Sequence, residues 1–355
     1  MTKYIEVVVA LKNRPALVAY ARDSIQRGSK SFAFASRLFD RTTRERVWLL
    51  YAWCRKCDDL ADGQDHGGAM AVVDDPLVRL QIVRDLTAKA FAGEATGDPA
   101  FDSLGVVARE CGLTAKMAND VIEGFALDAA EWHPRSEGDL YRYCYHVAGA
   151  VGVMMAQVMG VPSSDSDTLD RACDLGLAFQ LANIARDIQE DDAAGRCYLP
   201  DDWQSLLDIG PGEIMRPHNR RQLTLMGRWL ADEAGQYEAS ARVGASRLPF
   251  RARWAVLSAA GIYGDIARKV RAAGIDAWDQ RIYTRKREKL RWVARAFNQA
   301  VANNPPPAGR DGLWSRACMK IPLGTSLSFS TSSALTDLTK PTIGAISAAP
   351  ATLPP

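Results

Sequence analysis

Strand-like alternation of apolar and polar residues is nearly absent from this 355-residue sequence, which leaves a β-sheet architecture without support. An excess of one charge is missing too. The 44 basic and 42 acidic residues leave a formal net charge of +2, and nothing in that balance favours nucleic acid as a partner. The one basic run, Arg285-Lys286-Arg287-Glu288-Lys289, reads as a solvated helix face. No stretch reaches the roughly 20 apolar residues that span a bilayer. The longest uncharged run, between His146 and Pro162, carries several glycines and reads as a buried core helix. The apolar stretch Val7-Val8-Val9-Ala10-Leu11 is too short for the core of a secretory signal and ends at a lysine. The seven cysteines are odd in number and scattered. Cys54-x-x-Cys57 lacks the second close pair that a zinc site needs, and it lies in a helical segment without the βαβ setting of a redox motif. Reduced thiols and a cytoplasmic protein are therefore expected. A Gly-rich dinucleotide fingerprint is also missing, which fits a reaction without a nicotinamide cofactor.

What the sequence has is helical periodicity, and an all-α fold is expected. Between Thr42 and Asp62, the residues Val47, Leu50, Tyr51 and Cys54 form an apolar stripe that runs into Asp58 and Asp62. Ser166 to Asp192 carries Leu169, Cys173, Leu177, Gln180 and Ile184 on one side. Further helices are expected at Pro15–Gln26, Pro76–Ala92, Thr114–Ala130, Glu137–Met159, Arg220–Ala241, Phe250–Ala273 and Arg285–Ala300, separated by Gly- and Pro-containing breakers. The segment 97–99, Gly-Asp-Pro, is read as a loop. From Asn303 to Pro355 the composition turns to Pro, Ser, Thr, Ala and Gly with few charges. This segment is expected to be a disordered tail whose removal leaves activity intact. The organisation expected is a helical extension over residues 1–23, one catalytic domain over 24–302 and the tail over 303–355.

Chemistry is carried by acids in register. Residues i and i+4 share a helix face, so Asp58 and Asp62 point the same way and repel unless a cation lies between them. Four Asp-x-x-x-Asp pairs occur, little more than chance gives among thirty aspartates, so context must separate them. Asp98/Asp102 straddles Pro99, and Asp170/Asp174 opens a helix, where the dipole favours negative charge anyway. The other two pairs end long apolar helices. Between Gln180 and Asp191, the residues Asn183, Asp187 and Asp191 climb one face in steps of four, an amide and two carboxylates flanked by Leu181, Ile184 and Ile188. Such a ladder offers oxygen ligands to a hard cation such as magnesium. Arg55 and Arg186 lie beside the two acidic faces, either as charge balance or as diphosphate ligands.

In these residues the sequence resembles the squalene and phytoene synthases, which join two prenyl diphosphates head to head. The likeness rests on Gly28-Ser29-Lys30-Ser31-Phe32, on the run from Tyr51 to Asp62, on Tyr143-Cys144-Tyr145-His146-Val147-Ala148-Gly149, on the ladder from Gln180 to Asp191, and on Gly195-Arg196-Cys197-Tyr198-Leu199-Pro200. It covers about residues 24 to 300 and is nearest to the bacterial phytoene synthases. The resemblance implies the isoprenoid synthase fold, a single-domain helical bundle around a central cavity. It implies magnesium, or manganese in its place, held by Asp58 and Asp62 from one wall and by Asn183, Asp187 and Asp191 from the other. Catalytic roles are implied for Tyr51, Arg55 and Tyr263, and substrate contacts for Ser29, Phe32, Tyr143, Val147, Gln180, Arg186 and Arg281.

The reaction implied is condensation of two geranylgeranyl diphosphates to phytoene through the cyclopropyl intermediate prephytoene diphosphate, with release of diphosphate, in carotenoid biosynthesis. The residue types suit it. Departing diphosphate needs cations and arginines, and the carbocation left behind needs an apolar, aromatic-lined cavity that excludes water. Phe32, Phe34, Phe179 and Tyr263 are candidates for that lining. The alternative within the family is squalene or dehydrosqualene synthesis from farnesyl diphosphate. A chain-elongating synthase would need a second Asp-Asp-x-x-Asp near residues 187–191, and a terpene cyclase would need a serine and a glutamate there. Greasy substrates make peripheral contact with the inner face of a membrane an expectation, although no amphipathic basic helix announces it. The oligomeric state is left open.

Overall fold

The computed structural model of the chain describes residues 13–61, 75–305 and 307–320. Among them there are helices and no strands. The helices are α1 (Arg14–Gly28), α2 (Lys30–Ser36), α3 (Arg41–Ala61), α4 (Pro76–Ala92), α5 (Pro99–Cys111), α6 (Ala115–Ala129), α7 (Glu137–Cys144), α8 (Ala150–Val158), α9 (Ser166–Ala193), α10 (Asp201–Leu206), α11 (Arg220–Ala245), α12 (Phe250–Ala273) and α13 (Lys286–Ala302). The 28-residue α9 is the axis of the bundle and packs against α8, α11 and α12. The helix α13 packs on α12, and α1, α3, α4, α5 and α6 form a second group that meets α8.

The starts and stops follow from end chemistry. Asp75 caps α4 through a hydrogen bond from the Leu77 N–H, Pro76 takes the first helical position, and Gly93 ends the helix in the left-handed region at φ 77°. Pro99 begins a helix rather than marking a loop. Asp98 caps α5 and Pro99 occupies its first turn, where a missing N–H costs nothing. Asp102 then accepts from the Thr96 backbone and hydroxyl, so the Asp98/Asp102 pair builds a helix start. The helix α1 runs without a break across residue 24, burying Leu17, Ala21 and Ile25. Arg14 ties it down through Glu110 at 2.5 Å and Glu45 at 2.6 Å.

The expected single helix from Glu137 to Met159 is interrupted by a π-helical turn at Tyr145–Gly149. The Tyr145 hydroxyl donates to Asp120 (2.7 Å), and His146 Nδ1 lies 2.6 Å from the Asp120 carbonyl oxygen. The extra residue of such a turn re-aims the side chains around it. Close backbone approach locks the turn and α8 against α9. A Cβ added at Gly152 would lie 2.4 Å from the Ala172 carbonyl oxygen, and one at Gly176 would lie 2.4 Å from that of Ala148.

The segment read as tail from Asn303 is, over residues 307–320, packed on the bundle. Arg310 makes a two-pronged pair with Asp174, both contacts at 2.8 Å, and Ser240 adds a third hydrogen bond at 2.5 Å. Arg316 reaches Asp170 at 2.6 Å. Trp314 is buried, donates its backbone N–H to the Tyr237 hydroxyl, and stands 5.5 Å from the Tyr145 ring. The acidic pair Asp170/Asp174 thus receives this segment, and few charges in the sequence concealed how well those few are placed. Residues 321–355 lie outside the described residues.

Asp174 is fully buried, and burial raises its carboxyl above the usual range despite Arg310. Removing one partner of a buried pair strands the other. Arg310→Met is therefore expected to destabilise the fold by roughly 3–5 kcal/mol. Lys116→Gln, at an exposed pair with Asp120, is expected to cost about 1 kcal/mol or less. Urea unfolding of both variants checks this, and equal losses would contradict it.

Candidate active site

The bundle encloses a cavity of about 570 Å³. Its longest wall is α9, from Thr168 through Ala172, Leu175 and Phe179 to Asn183, residues spaced three and four apart on one face. At 1.5 Å per residue that wall runs for about 22 Å. One end is polar: Ser29 from the start of α2, Tyr51, Arg55 and Asp58 from α3, Gln180 and Asn183 from α9, and Tyr263 from α12 all line it. The rest is mostly apolar, lined by Met155 of α8, by Met159 just after that helix, and by Ala241, Gly244 and Ala245 of α11.

The cavity explains which stripe residues are buried. On α3, Val47 and Leu50 are buried, whereas Tyr51 and Cys54 of the same stripe are only half-buried because they face this space. On α9, Leu169, Cys173, Leu177 and Ile184 are in the core while Gln180 borders the cavity. Ser29 caps α2 by accepting from the Phe32 N–H at 3.2 Å, which sets the phase of a seven-residue helix. Phe32 turns inward and stacks on Tyr51 with ring centres 5.7 Å apart. Phe34 does not line the cavity and is exposed, contrary to expectation, because it sits across the helix from Phe32. Ser36 and Phe39 line it instead.

Two arginine–carboxylate groups stand at the polar end and just beyond it. Arg55 donates to Asp58 at 2.9 Å and pairs with Asp59 at 2.5 Å. Arg186 grips Asp187 with two guanidinium nitrogens, one at 2.7 Å, and Arg281 reaches the same carboxylate at 3.0 Å. The phenols connect the groups. Tyr263 hydrogen-bonds the Ser29 hydroxyl, feels the charge of Arg186, and stacks on Phe179 at 4.4 Å. Tyr51 lies within electrostatic reach of Arg55, Asp58 and Tyr263. Burial pushes Tyr51 up to about 12 and raises Tyr263 as well, so both remain neutral hydroxyls at neutral pH.

Arg186, Asp187, Asp191 and Arg281 are not on the cavity lining itself but continue from Asn183 beyond its polar end. Asp62 lies outside the described residues. Among the described residues no three His, Cys, Asp or Glu side chains converge tightly enough to define a metal centre. The donor set nonetheless fits a hard cation. It is built of oxygens, and burial together with the neighbouring charge of Asp187 pushes Asp191 up to about 6, marking a carboxylate short of positive charge.

Tyr143 and Val147 border the cavity on either side of the π-helical turn's start. Tyr143 donates to Asp128 at 3.0 Å, and the Tyr198 hydroxyl lies 3.2 Å from the same oxygen. The rings of Trp132 and Tyr198 stack on Tyr143 at 5.7 and 4.8 Å. Asp128 is a cavity-lining carboxylate that the sequence did not reveal, since it belongs to no Asp-x-x-x-Asp pair. Met155, Met159 and Arg171 were likewise missed, because a residue facing an enclosed cavity carries the same pattern as one in packed core.

Comparison with known proteins agrees with this geometry. The squalene/phytoene synthase family profile matches residues 25–297. The chain is 45% identical over 311 residues to a phytoene synthase of Pseudescherichia vulneris, covering 86% of this chain and 99% of that one. It is 45% identical over the same shares to the 15-cis-phytoene synthase of Pantoea ananas. Among solved structures, a dehydrosqualene synthase in complex with a ligand superposes with a TM-score of 0.73 at 25% identity, covering 82% of this chain and 99% of that chain. A squalene synthase from Alicyclobacillus acidocaldarius superposes at 0.63, also at 25% identity, over 74% of this chain and 95% of that chain. The all-helical arrangement is the isoprenoid synthase fold of these neighbours, and the chain belongs to the squalene/phytoene synthase family.

Proposed function

We infer that the cavity is the active site of a prenyltransferase that condenses two geranylgeranyl diphosphates head to head to phytoene, through prephytoene diphosphate. The observation that carries this reading is the shape of the cavity, apolar along α9 and closed at one end by arginines, carboxylates and an amide. Relatives named as phytoene synthases at 45% identity, against 25% for the squalene-type structures, support the C20 substrate. The second reading, squalene or dehydrosqualene from farnesyl diphosphate, draws on the overlay with the dehydrosqualene synthase.

Asp58 and Asp62 on one side and Asn183, Asp187 and Asp191 on the other would hold magnesium. When bound, the ion supplies positive charge to the diphosphate oxygens as the allylic C–O bond breaks. Arg55, Arg186 and Arg281 have fixed forks that can transfer from the carboxylates to phosphate oxygens. Gln180 and the Ser29 and Tyr263 hydroxyls orient the diphosphate without adding charge. Phe32, Tyr51, Phe179 and Tyr263 present ring faces that stabilise a nearby cation while keeping water away from it. Val147 and Tyr143 complete that wall, and Tyr143 is held in place by Asp128.

Peripheral contact with an anionic membrane surface is part of the proposal. No described helix is long and apolar enough to cross a membrane. The helix α13 exposes Leu290, Phe297 and Val301 on one side, among Arg287, Lys289, Arg291 and Arg295. This is the basic amphipathic face that the sequence reading passed over.

Purified protein given magnesium and C20 diphosphate is expected to release diphosphate and form phytoene, and to do so faster than with C15 diphosphate. Asp58→Asn and Asp187→Asn are each expected to lower kcat by about 100-fold or more, with far-UV circular dichroism unchanged. Normal turnover in either variant, or a C30 hydrocarbon as the main product, would contradict the assignment. Wild type is expected to co-sediment with phosphatidylglycerol-containing vesicles and L290S/F297S to lose most of that binding. Equal sedimentation would rule this face out as the contact.

A further inference from the structure

The far end of the cavity is shaped by a residue with no role in the diphosphate chemistry. Arg171 lines it, beside Thr168 of α9 and Gly244 and Leu248 near the end of α11. Thr168, Arg171 and Leu248 are all buried, so the cavity ends here instead of opening to solvent. The guanidinium of Arg171 is turned away from the apolar space, with its nitrogens bound to the Asp167 carboxylate, the Ser240 hydroxyl and carbonyl, and the Ala308 carbonyl. The aliphatic stem is what remains to face the cavity. It packs so closely on α11 that a Cβ at Gly244 would lie 2.6 Å from Arg171 Cβ.

Two of those anchors depend on the segment after α13. Ala308 belongs to it directly, at 3.1 Å. Ser240 also donates to Asp174, which Arg310 holds with two hydrogen bonds. Trp314 of the same segment packs on Tyr145 of the π-helical turn, the turn that carries Val147 into the cavity. One stretch of chain, beyond the residues matched by the family profile, therefore braces two walls of the cavity.

We propose that residues 307–320 act as a strap that fixes Arg171 as the stop of the cavity, and so set the longest prenyl chain the enzyme accepts. This rests on the reading of the cavity as the prenyl-chain site. Arg171 is a positioning residue here, since its stem limits depth and its charge only anchors it. With the strap loosened or the stem shortened, the far end deepens and the homologue one isoprene unit longer, C25 diphosphate, gains access.

The test is competition between C20 and C25 diphosphates in the full-length protein with magnesium, read as the ratio of their kcat/KM values. Both substrates compete for the same active molecules, so the ratio is insensitive to any loss of folded protein. Arg171→Ala and Arg310→Met are each expected to raise the C25:C20 ratio by about tenfold or more, the scale on which a hydrophobic pocket discriminates chain length. Arg316→Gln, whose partner Asp170 does not line the cavity, is expected to leave the ratio within about twofold, below the discrimination of a single methylene. An unchanged ratio in both Arg171→Ala and Arg310→Met would overturn the proposal. Ala255→Leu, which fills the cavity from α12, separates this from failure of the parent reading. It is expected to lower C20 use relative to C15, and no change there would mean that the cavity does not hold the chain.

Discussion

Carboxylates beside an apolar cavity cost free energy unless positive charge meets them, and the polar end of this site is organised around that requirement. Asp187 is shared by Arg186 and Arg281, and Asp58 and Asp59 share Arg55. Arg55 meets its carboxylates within α3 and Arg186 meets Asp187 within α9, while Arg281, from the loop after α12, ties that loop to α9. The neutral phenols of Tyr51 and Tyr263 fall between the two charged groups. The aromatic and aliphatic faces follow behind them. Asp191, half-buried beside Asp187, is held above the usual carboxylate range by burial and by the charge of Asp187, despite Arg196 and Arg186 nearby. A divalent ion and a diphosphate, bound as proposed, would complete this pattern of charge without requiring a new one.

An apolar space of about 570 Å³ is expensive in a protein interior, where close packing is the rule. It is kept open by neighbours that cannot close on it. Gly152 and Gly176 bring α8, the π-helical turn and α9 into backbone contact, which fixes one side as a rigid unit. On the other side α11 offers Ala241, Gly244 and Ala245, which leave volume unfilled. The ion pair of Arg310, in the segment after α13, with the buried Asp174 of α9 holds the far end. The diphosphate chemistry and the prenyl chain thus make separate demands on opposite ends of a single helix, α9.

Much of this was legible in the sequence. The ends of α4 and α12 follow from Asp75-Pro76 and from Gly274, and the acidic ladder on α9 was visible as a narrow polar stripe. Other features obey rules that the sequence pattern hides. Pro99 both breaks and begins helices, and only its neighbour Asp98, serving as a cap, decides between them. The π-helical turn adds one residue within an apolar run whose periodicity gives no warning of it. Fewer than two turns of α2 are too short to show by pattern that Phe32 faces inward and Phe34 outward. The packing of residues 307–320 was masked by Pro and Gly, because ordering there depends on Arg310, Trp314 and Arg316 finding partners far away in sequence. Asp170 and Asp174, read as acids suiting a helix start, are those partners.

The most direct measurement of the central claim is a crystal structure with manganese and a non-cleavable C20 diphosphate analogue, with the ions located by anomalous scattering. The expected result is ions between Asp58 and Asp62 on one wall and Asn183, Asp187 and Asp191 on the other, with the prenyl chain lying along α9. Ions bound elsewhere, or those side chains turned to bulk solvent with the chain outside the cavity, would contradict it.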